Sequence, residues 1–162
     1  MNSTNVSNTY SVFGNNVINM SYNSSETGSK EKTDPLKRNF EGVKILIVED
    51  ENSNFLLVEA ILRKTGVNLL HAWNGKQAIE MLDENPDIDL CLMDLKMPIM
   101  DGFEATEKIR ERGNNKLPVI ALTAFSEMFH KKTASEKGFN MYMAKPLNRK
   151  ALIENIATCL SI

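Results

Sequence analysis

A chain of 162 residues holds one ordinary domain and a tail, and is too short for two full domains. With 42% hydrophobic and 25% charged residues it has a globular make-up, and a net charge of -2 gives no general attraction for nucleic acid or anionic membranes. No window approaches the roughly eighteen uninterrupted apolar residues of a membrane span, and no basic stretch at the N-terminus leads into an apolar one. A cytoplasmic protein is therefore expected.

Residues 1–40 are rich in Asn and Ser, with a basic, proline-broken stretch from Lys30 to Arg38, and read as a polar, disordered tail or linker. Within them, apolar residues flank Gly14-Asn15-Asn16 between Tyr10 and Tyr22 and could pair as a hairpin, though a hairpin standing alone is marginal in water. The Asn-x-Ser/Thr triplets at Asn2, Asn5, Asn19 and Asn23 matter only in a secreted protein.

The composition changes near residue 41, and 41–162 reads as the folded domain. Val43 to Val48 is nearly continuous and β-branched, as in a strand buried on both faces. A helix is predicted from about Ser53 to Thr65, with Leu57/Ile61 and Val58/Leu62 as four-apart pairs and Gly66 at its left-handed cap. Asn68 to Trp73 is a weaker strand, and the helix after Asn74-Gly75 buries Ala78, Ile79 and Leu82 before Pro86. Ile88 to Met93 is a third strand, followed after Pro98 and Gly102 by a helix to about Arg112. Pro118 to Thr123 is a fourth strand, leading to a helix from about Ser126 to Lys137 that stops at Gly138. Asn140 to Ala144 is a fifth strand, and Asn148 to Leu160 the last helix. Five strand-helix units in about 120 residues imply an α/β fold with a doubly wound parallel sheet and helices on both faces. Cys91 and Cys159 fall inside an apolar strand and near a helix end, where they read as packing residues and not as a bridge.

In such sheets the functional crevice lies beyond the carboxyl ends of the strands. Those ends carry Glu49-Asp50, Asp94, Thr123 and Lys145. Clustered carboxylates repel one another unless a cation sits among them, and Mg²⁺ (with Mn²⁺ as a substitute) is the hard ion that suits such donors. A lysine opposite it supplies a second positive pole, and a hydroxyl between them can bind an oxygen. The set suits a phosphoryl group carried on a carboxylate.

The stretches Ile45-Leu46-Ile47-Val48-Glu49-Asp50, Leu92-Met93-Asp94-Leu95-Lys96-Met97-Pro98 through Gly102, Ala121-Leu122-Thr123-Ala124 and Tyr142-Met143-Ala144-Lys145-Pro146 together resemble the receiver domain of two-component response regulators across residues 43–160. The resemblance implies a flavodoxin-like five-stranded sheet of order 2-1-3-4-5. It also implies roles: Asp94 as phosphoacceptor, Asp50 and more loosely Glu49 as the acidic pair for Mg²⁺, and the Lys96 backbone carbonyl as a further ligand. Thr123 matches the switch hydroxyl, Lys145 the lysine that pairs with the phosphoryl group, and Tyr142 the switch aromatic. The Lys145-Pro146 bond is often cis in the family, and a proline makes that form affordable. Asn54 and the run from Asp94 through Glu104 to Arg110 have the flavour of receivers in hybrid sensor histidine kinases. The pattern departs at Asn140-Met141, where many relatives carry acids, and Lys96 and Phe125 line the entrance and should influence the phosphoryl lifetime.

The implied partners are a histidine kinase or histidine phosphotransfer protein, and a protein effector at the face made by the predicted fourth helix, fifth strand and fifth helix. Neither nucleic acid nor membrane contact is expected of this segment. The domain would catalyse its own charging and discharge without being a turnover enzyme, either standing alone or as the terminal receiver of a hybrid kinase. The alternatives are a phosphate-independent pseudo-receiver, which usually loses one of these residues, and an aspartyl phosphatase, which would need an acid where Lys96 stands. Plainer readings are also open: Asp50 as a cap for the first helix, Tyr142 and Trp73 as packing residues, and His71 and His130 as surface or satisfied groups.

Overall fold

The computed structural model describes residues 37–124 and 137–162 with their side chains, and the backbone of 8–13 and 16–21. The predicted helix at 126–137, with Phe125 and His130, lies almost wholly outside the described residues. In chain order the elements are β1 (Asn8–Phe13), β2 (Asn16–Ser21), β3 (Lys44–Val48), α1 (Asn52–Leu62) and β4 (Asn68–Ala72). They continue with α2 (Gly75–Glu84), β5 (Leu90–Asp94), α3 (Gly102–Glu111), β6 (Val119–Thr123), β7 (Met141–Ala144) and α4 (Arg149–Leu160).

The five predicted strands pair in parallel in the order β7-β6-β5-β3-β4, the doubly wound order expected from the sequence. The sheet is wider than predicted. β1 and β2 form an antiparallel hairpin, and β1 also runs antiparallel along β7 with Tyr10 opposite Tyr142. A hairpin that is marginal alone gains a third strand to bond with, which is how a short polar segment can join a sheet.

Side chains alternate across the sheet as the pleat requires. Leu46, Val48, Cys91, Met93, Val119 and Ala121 pack on the α2–α3 side, while Ile45, Ile47, Leu90, Leu92, Ile120 and Leu122 pack against α1 and α4. Full burial of each such aliphatic side chain contributes roughly 1.5–3 kcal/mol, so both faces of the central strands are held by apolar contact. Phe40, just before the composition change, is also buried in the α1–α4 side.

Local signals set the helix starts. Asn74, Asp101 and Asn148 each accept a hydrogen bond from a backbone N–H in the first turn of α2, α3 and α4. α1 differs: its N-cap is Glu51, which makes no side-chain cap bond, so Asp50 is not the cap of this helix. α1 also ends at Leu62, where a 3-10 turn takes over to Thr65 before Gly66 adopts the left-handed conformation at φ 77°. Leu57 corrects the predicted core pair with Ile61: it is 47% exposed, while Val58, Ile61 and Leu62 face inward. Trp73 likewise lies on the surface, 44% exposed, with its ring tilted against His71.

The loop after β5 is tightly built. Met100 N–H donates to the Pro98 carbonyl at 2.8 Å around Ile99, whose φ of 72° makes this a γ-turn of the strained hand. The Met100 carbonyl accepts from Gly75 N–H at 3.0 Å, latching the loop to the start of α2. At Gly102 a Cβ would run into the carbonyl of Asp94, so only glycine lets α3 start this close to the end of β5.

Candidate functional site

β3 lies between β4 and β5, so the strand order reverses beside it and a crevice opens beyond its carboxyl end. Glu49 and Asp50 leave β3 there, and Asp94 ends β5 next to them. Carboxylate oxygens of Glu49, Asp50 and Asp94 lie within 4.8 Å of one another, the single such group of metal-capable side chains among the described residues. Glu49 and Asp94 are buried, at 1% and 8% exposure, while Asp50 is half-buried at the crevice wall.

Lys145 follows β7 and reaches across the crevice. Its Nζ donates to Asp94 Oδ2 at 2.5 Å and to Glu49 Oε2 at 2.7 Å, and its backbone N–H donates to the Thr123 carbonyl at 2.7 Å. Thr123 is buried at the end of β6, beside Ala144 in register. The Lys145-Pro146 peptide bond is cis, as the resemblance implied. Lys96 N–H donates to Asp94 Oδ1 at 3.1 Å, so both Asp94 oxygens are engaged on the protein side.

Burial pushes the Glu49 carboxyl above its usual range, and the nearby Asp94 adds to this, although hydrogen bonds from Lys145 and Asn54 pull it down. Burial alone would lower the Lys145 ammonium, but its bonds to Asp94 and Glu49 prevail and raise it. Two of the three carboxylates thus share one ammonium, and with Asp50 beside them the site keeps a surplus of negative charge. All-oxygen donors, a half-buried acid and an open cleft of about 470 Å³ lined by Asp50, Leu95, Lys96, Met97, Pro98, Asp101 and Phe103 fit a hard, partly hydrated cation such as Mg²⁺. The Lys96 side chain lines this entrance, as expected from the sequence.

A second groove of about 360 Å³, lined by Glu49, Asn54, Leu57, Val58, Lys145, Pro146 and Leu147, opens on the α1 side. Tyr142 is buried among the α2–α3 side of the core. His71 stacks on Phe55 with ring centroids 4.0 Å apart, and its Nε2 meets the Glu49 carbonyl at 2.9 Å, so it is a satisfied group. Both cysteines are free, and burial pushes each thiol up to about 12, in keeping with a packing role.

The geometry thus gathers Glu49, Asp50, Asp94, Thr123 and Lys145 on one rim. One participant was placed by the sequence without a function: Asn54, whose side-chain amide donates to Glu49 Oε1 at 2.9 Å. Its signal was faint, a polar residue in the first turn of a helix that follows the acids.

A doubly wound sheet with acids, a hydroxyl and a lysine at its carboxyl rim defines a class, the phosphoacceptor domains. The response regulator receiver domain model matches residues 45–157, and the chain belongs to that family, the receivers of two-component signalling. Hybrid signal transduction histidine kinase I of Dictyostelium discoideum is 38% identical over 122 residues, 71% of this chain and 7% of that one. Sensor histidine kinase GacS of Pseudomonas protegens is 35% identical over 115 residues, 68% of this chain and 12% of that one. The chain therefore spans a small part of the length of these relatives.

Among solved structures it is similar to the receiver domain of Ssk1 from Saccharomyces cerevisiae, crystallised with the histidine phosphotransfer protein Ypd1. That match has a TM-score of 0.65 at 31% identity, over 71% of this chain and 86% of that one. It is also similar to the receiver domain of sensor histidine kinase PA1611 from Pseudomonas aeruginosa, which holds a magnesium ion in its active site cleft. Here the TM-score is 0.68 at 32% identity, over 74% of this chain and 98% of that one. No helix among the described residues is long and apolar enough to cross a membrane.

Proposed function

We propose that Asp94 is the residue that accepts the phosphoryl group, from a phosphohistidine on a kinase or phosphotransfer protein, and that residues 41–162 are the domain that does so. The observation that carries this reading is Lys145, fixed between Asp94 and Glu49 by two short ion pairs at the mouth of an acidic crevice. An Asp94 carboxylate oxygen attacks phosphorus in line. The new P–O bond forms as the P–N bond breaks, and the electron pair leaves with the imidazole nitrogen, which then takes up a proton.

Asp50 and Asp94, with the Lys96 carbonyl and Glu49, would hold Mg²⁺, which supplies charge neutralisation of the transferring oxygens when bound. Lys145 serves the same charge from the opposite side. To do so it must relax its grip on the Asp94 oxygen that it now bonds. The product adds about two negative charges at the rim. Thr123, whose carbonyl already accepts from Lys145 N–H, closes toward the new oxygens, and Tyr142 on the adjoining strand responds. The altered surface is the one around β7 and α4, where an effector would bind, and such a switch needs two states a few kcal/mol apart.

The relatives support a phosphotransfer partner, and a receiver that belongs to a hybrid kinase or stands alone. The exposed Leu57, in one groove with Pro146 and Leu147, gives that partner an apolar margin next to Glu49 and Lys145. The test is intact-mass spectrometry after acetyl phosphate, with and without Mg²⁺, on the wild type and Asp94→Asn. One phosphoryl group should be gained only by the wild type and only with Mg²⁺. No gain from acetyl phosphate or from a phosphorylated phosphotransfer protein would leave a phosphate-independent binding module as the better reading.

A further inference from the structure

We propose that Asn54 is a positioning residue of this site, holding the Glu49 carboxylate in place so that the acid stays available to a divalent cation and does not collapse onto Lys145. The inference rests on the reading of the acids as a metal site and extends it to a residue outside the acid, hydroxyl and lysine set.

Glu49 is almost fully buried, so each of its oxygens needs a donor. Oε2 has Lys145 Nζ at 2.7 Å. Oε1 has Asn54 Nδ2 at 2.9 Å, and beyond it, among the described residues, only the Glu51 N–H at a long 3.4 Å. The same Nδ2 reaches Glu51 Oε2 at 3.2 Å, so the amide faces two acids with its donor side. The reverse orientation would set a carbonyl oxygen against both. Asn54 is itself held by the helix, since its backbone N–H donates to the Glu51 carbonyl at 3.1 Å.

The choice of an amide has an electrostatic consequence. A lysine or arginine at this place would also satisfy Oε1, but it would cancel the surplus negative charge that draws a cation. A neutral donor fixes the carboxylate and leaves that charge intact. Without the amide, Oε1 is left in a buried site with no short bond. Its nearest remedy is to swing toward the Lys145 ammonium, pairing with it through both oxygens and withdrawing from Asp50 and Asp94. Removal of such outer partners typically weakens metal binding by about 10–100-fold.

The test measures Mn²⁺ binding to the full chain, read as loss of the free-ion electron paramagnetic resonance signal, for wild type, Asn54→Ala, Glu49→Gln and the double variant. Alanine is the better helix former, so α1 is not put at risk, and circular dichroism checks this. We expect Asn54→Ala to weaken Mn²⁺ binding about tenfold or more, and to add less than about twofold in the Glu49→Gln background, because its effect passes through that acid. Equal affinity of Asn54→Ala and wild type overturns the proposal, as does an equal loss in both backgrounds. A wild type that fails to bind Mn²⁺ overturns the metal reading itself, and this inference with it.

Discussion

At the amino end of the sheet two half-buried cations, Arg110 and Lys44, are each met by partners of their own. Arg110 donates to the Gly138 carbonyl at 2.9 Å, the Asn114 carbonyl at 2.5 Å and Asn140 Oδ1 at 3.1 Å. Asn140 Oδ1 also accepts from Val119 N–H, and Lys44 pairs with Asp87 while its N–H donates to Asp89. At the carboxyl end Lys145 pairs with two carboxylates, Glu49 and Asp94, and a third, Asp50, lies beside them. Both rims are polar and both are hydrogen-bonded. The difference is that Arg110 closes the first with neutral acceptors and the acids there sit at the surface, while the second is held together by charges on buried acids that a phosphoryl group or a cation can redistribute. Saturation marks architecture and surplus charge marks chemistry.

Arg110→Ala should break the closed rim most severely. It removes the donors for three acceptors beside a half-buried strand end, and a loss of about 3 kcal/mol is expected in urea unfolding. The rate of phosphorylation by acetyl phosphate should change much less than the stability, and a larger effect on rate would erase the distinction between the rims.

Lys145→Met should cost about 2 kcal/mol, less than a fully buried pair because the lysine keeps some contact with water. Added Mg²⁺ should narrow the deficit, since it returns a cation to the acids. The variant should also change the alkaline limb of the stability profile. The raised Lys145 contributes stability that is fully present below its usual 10.5 and lost as pH rises through its higher folded value. Replacing it should flatten that limb. Glu49 works with the opposite sign: its raised carboxyl is a cost at neutral pH that is relieved as pH falls toward 4.5.

Lys108→Ala gives the lower bound. Its exposed pair with Glu104 at 3.2 Å, four apart on α3, should be worth about 0.4 kcal/mol and should fade with salt. A loss as large as that of Arg110→Ala would mean that the charges at the sheet ends are not special.

Much of the open rim was legible in the sequence, because each of its residues stands at the end of an apolar run and a doubly wound sheet brings such ends together. Asp94, Thr123 and Lys145 could be placed from strand order alone. The closed rim was not legible. Arg110 acts through two backbone carbonyls, which leave no mark in the amino-acid sequence, and one side-chain amide, with partners up to 30 residues away. Residues 1–40 read as a disordered tail with a hairpin only as a marginal possibility, because the docking of β1 on β7 depends on an edge that exists only after folding. Leu57 shows the same limit on a smaller scale: helical spacing put it with the core, while in the structure it lines the groove on the α1 side and stays exposed.

The most direct test of the central claim is to locate the acyl phosphate chemically. The chain would be phosphorylated with acetyl phosphate and Mg²⁺, reduced with borohydride, digested and sequenced by mass spectrometry. Reduction turns a phosphorylated aspartate into homoserine, and it should appear at position 94 and nowhere else. Homoserine at Asp50 or Asp101 instead, or a phosphorylated chain with none, would contradict the assignment of Asp94 as the acceptor.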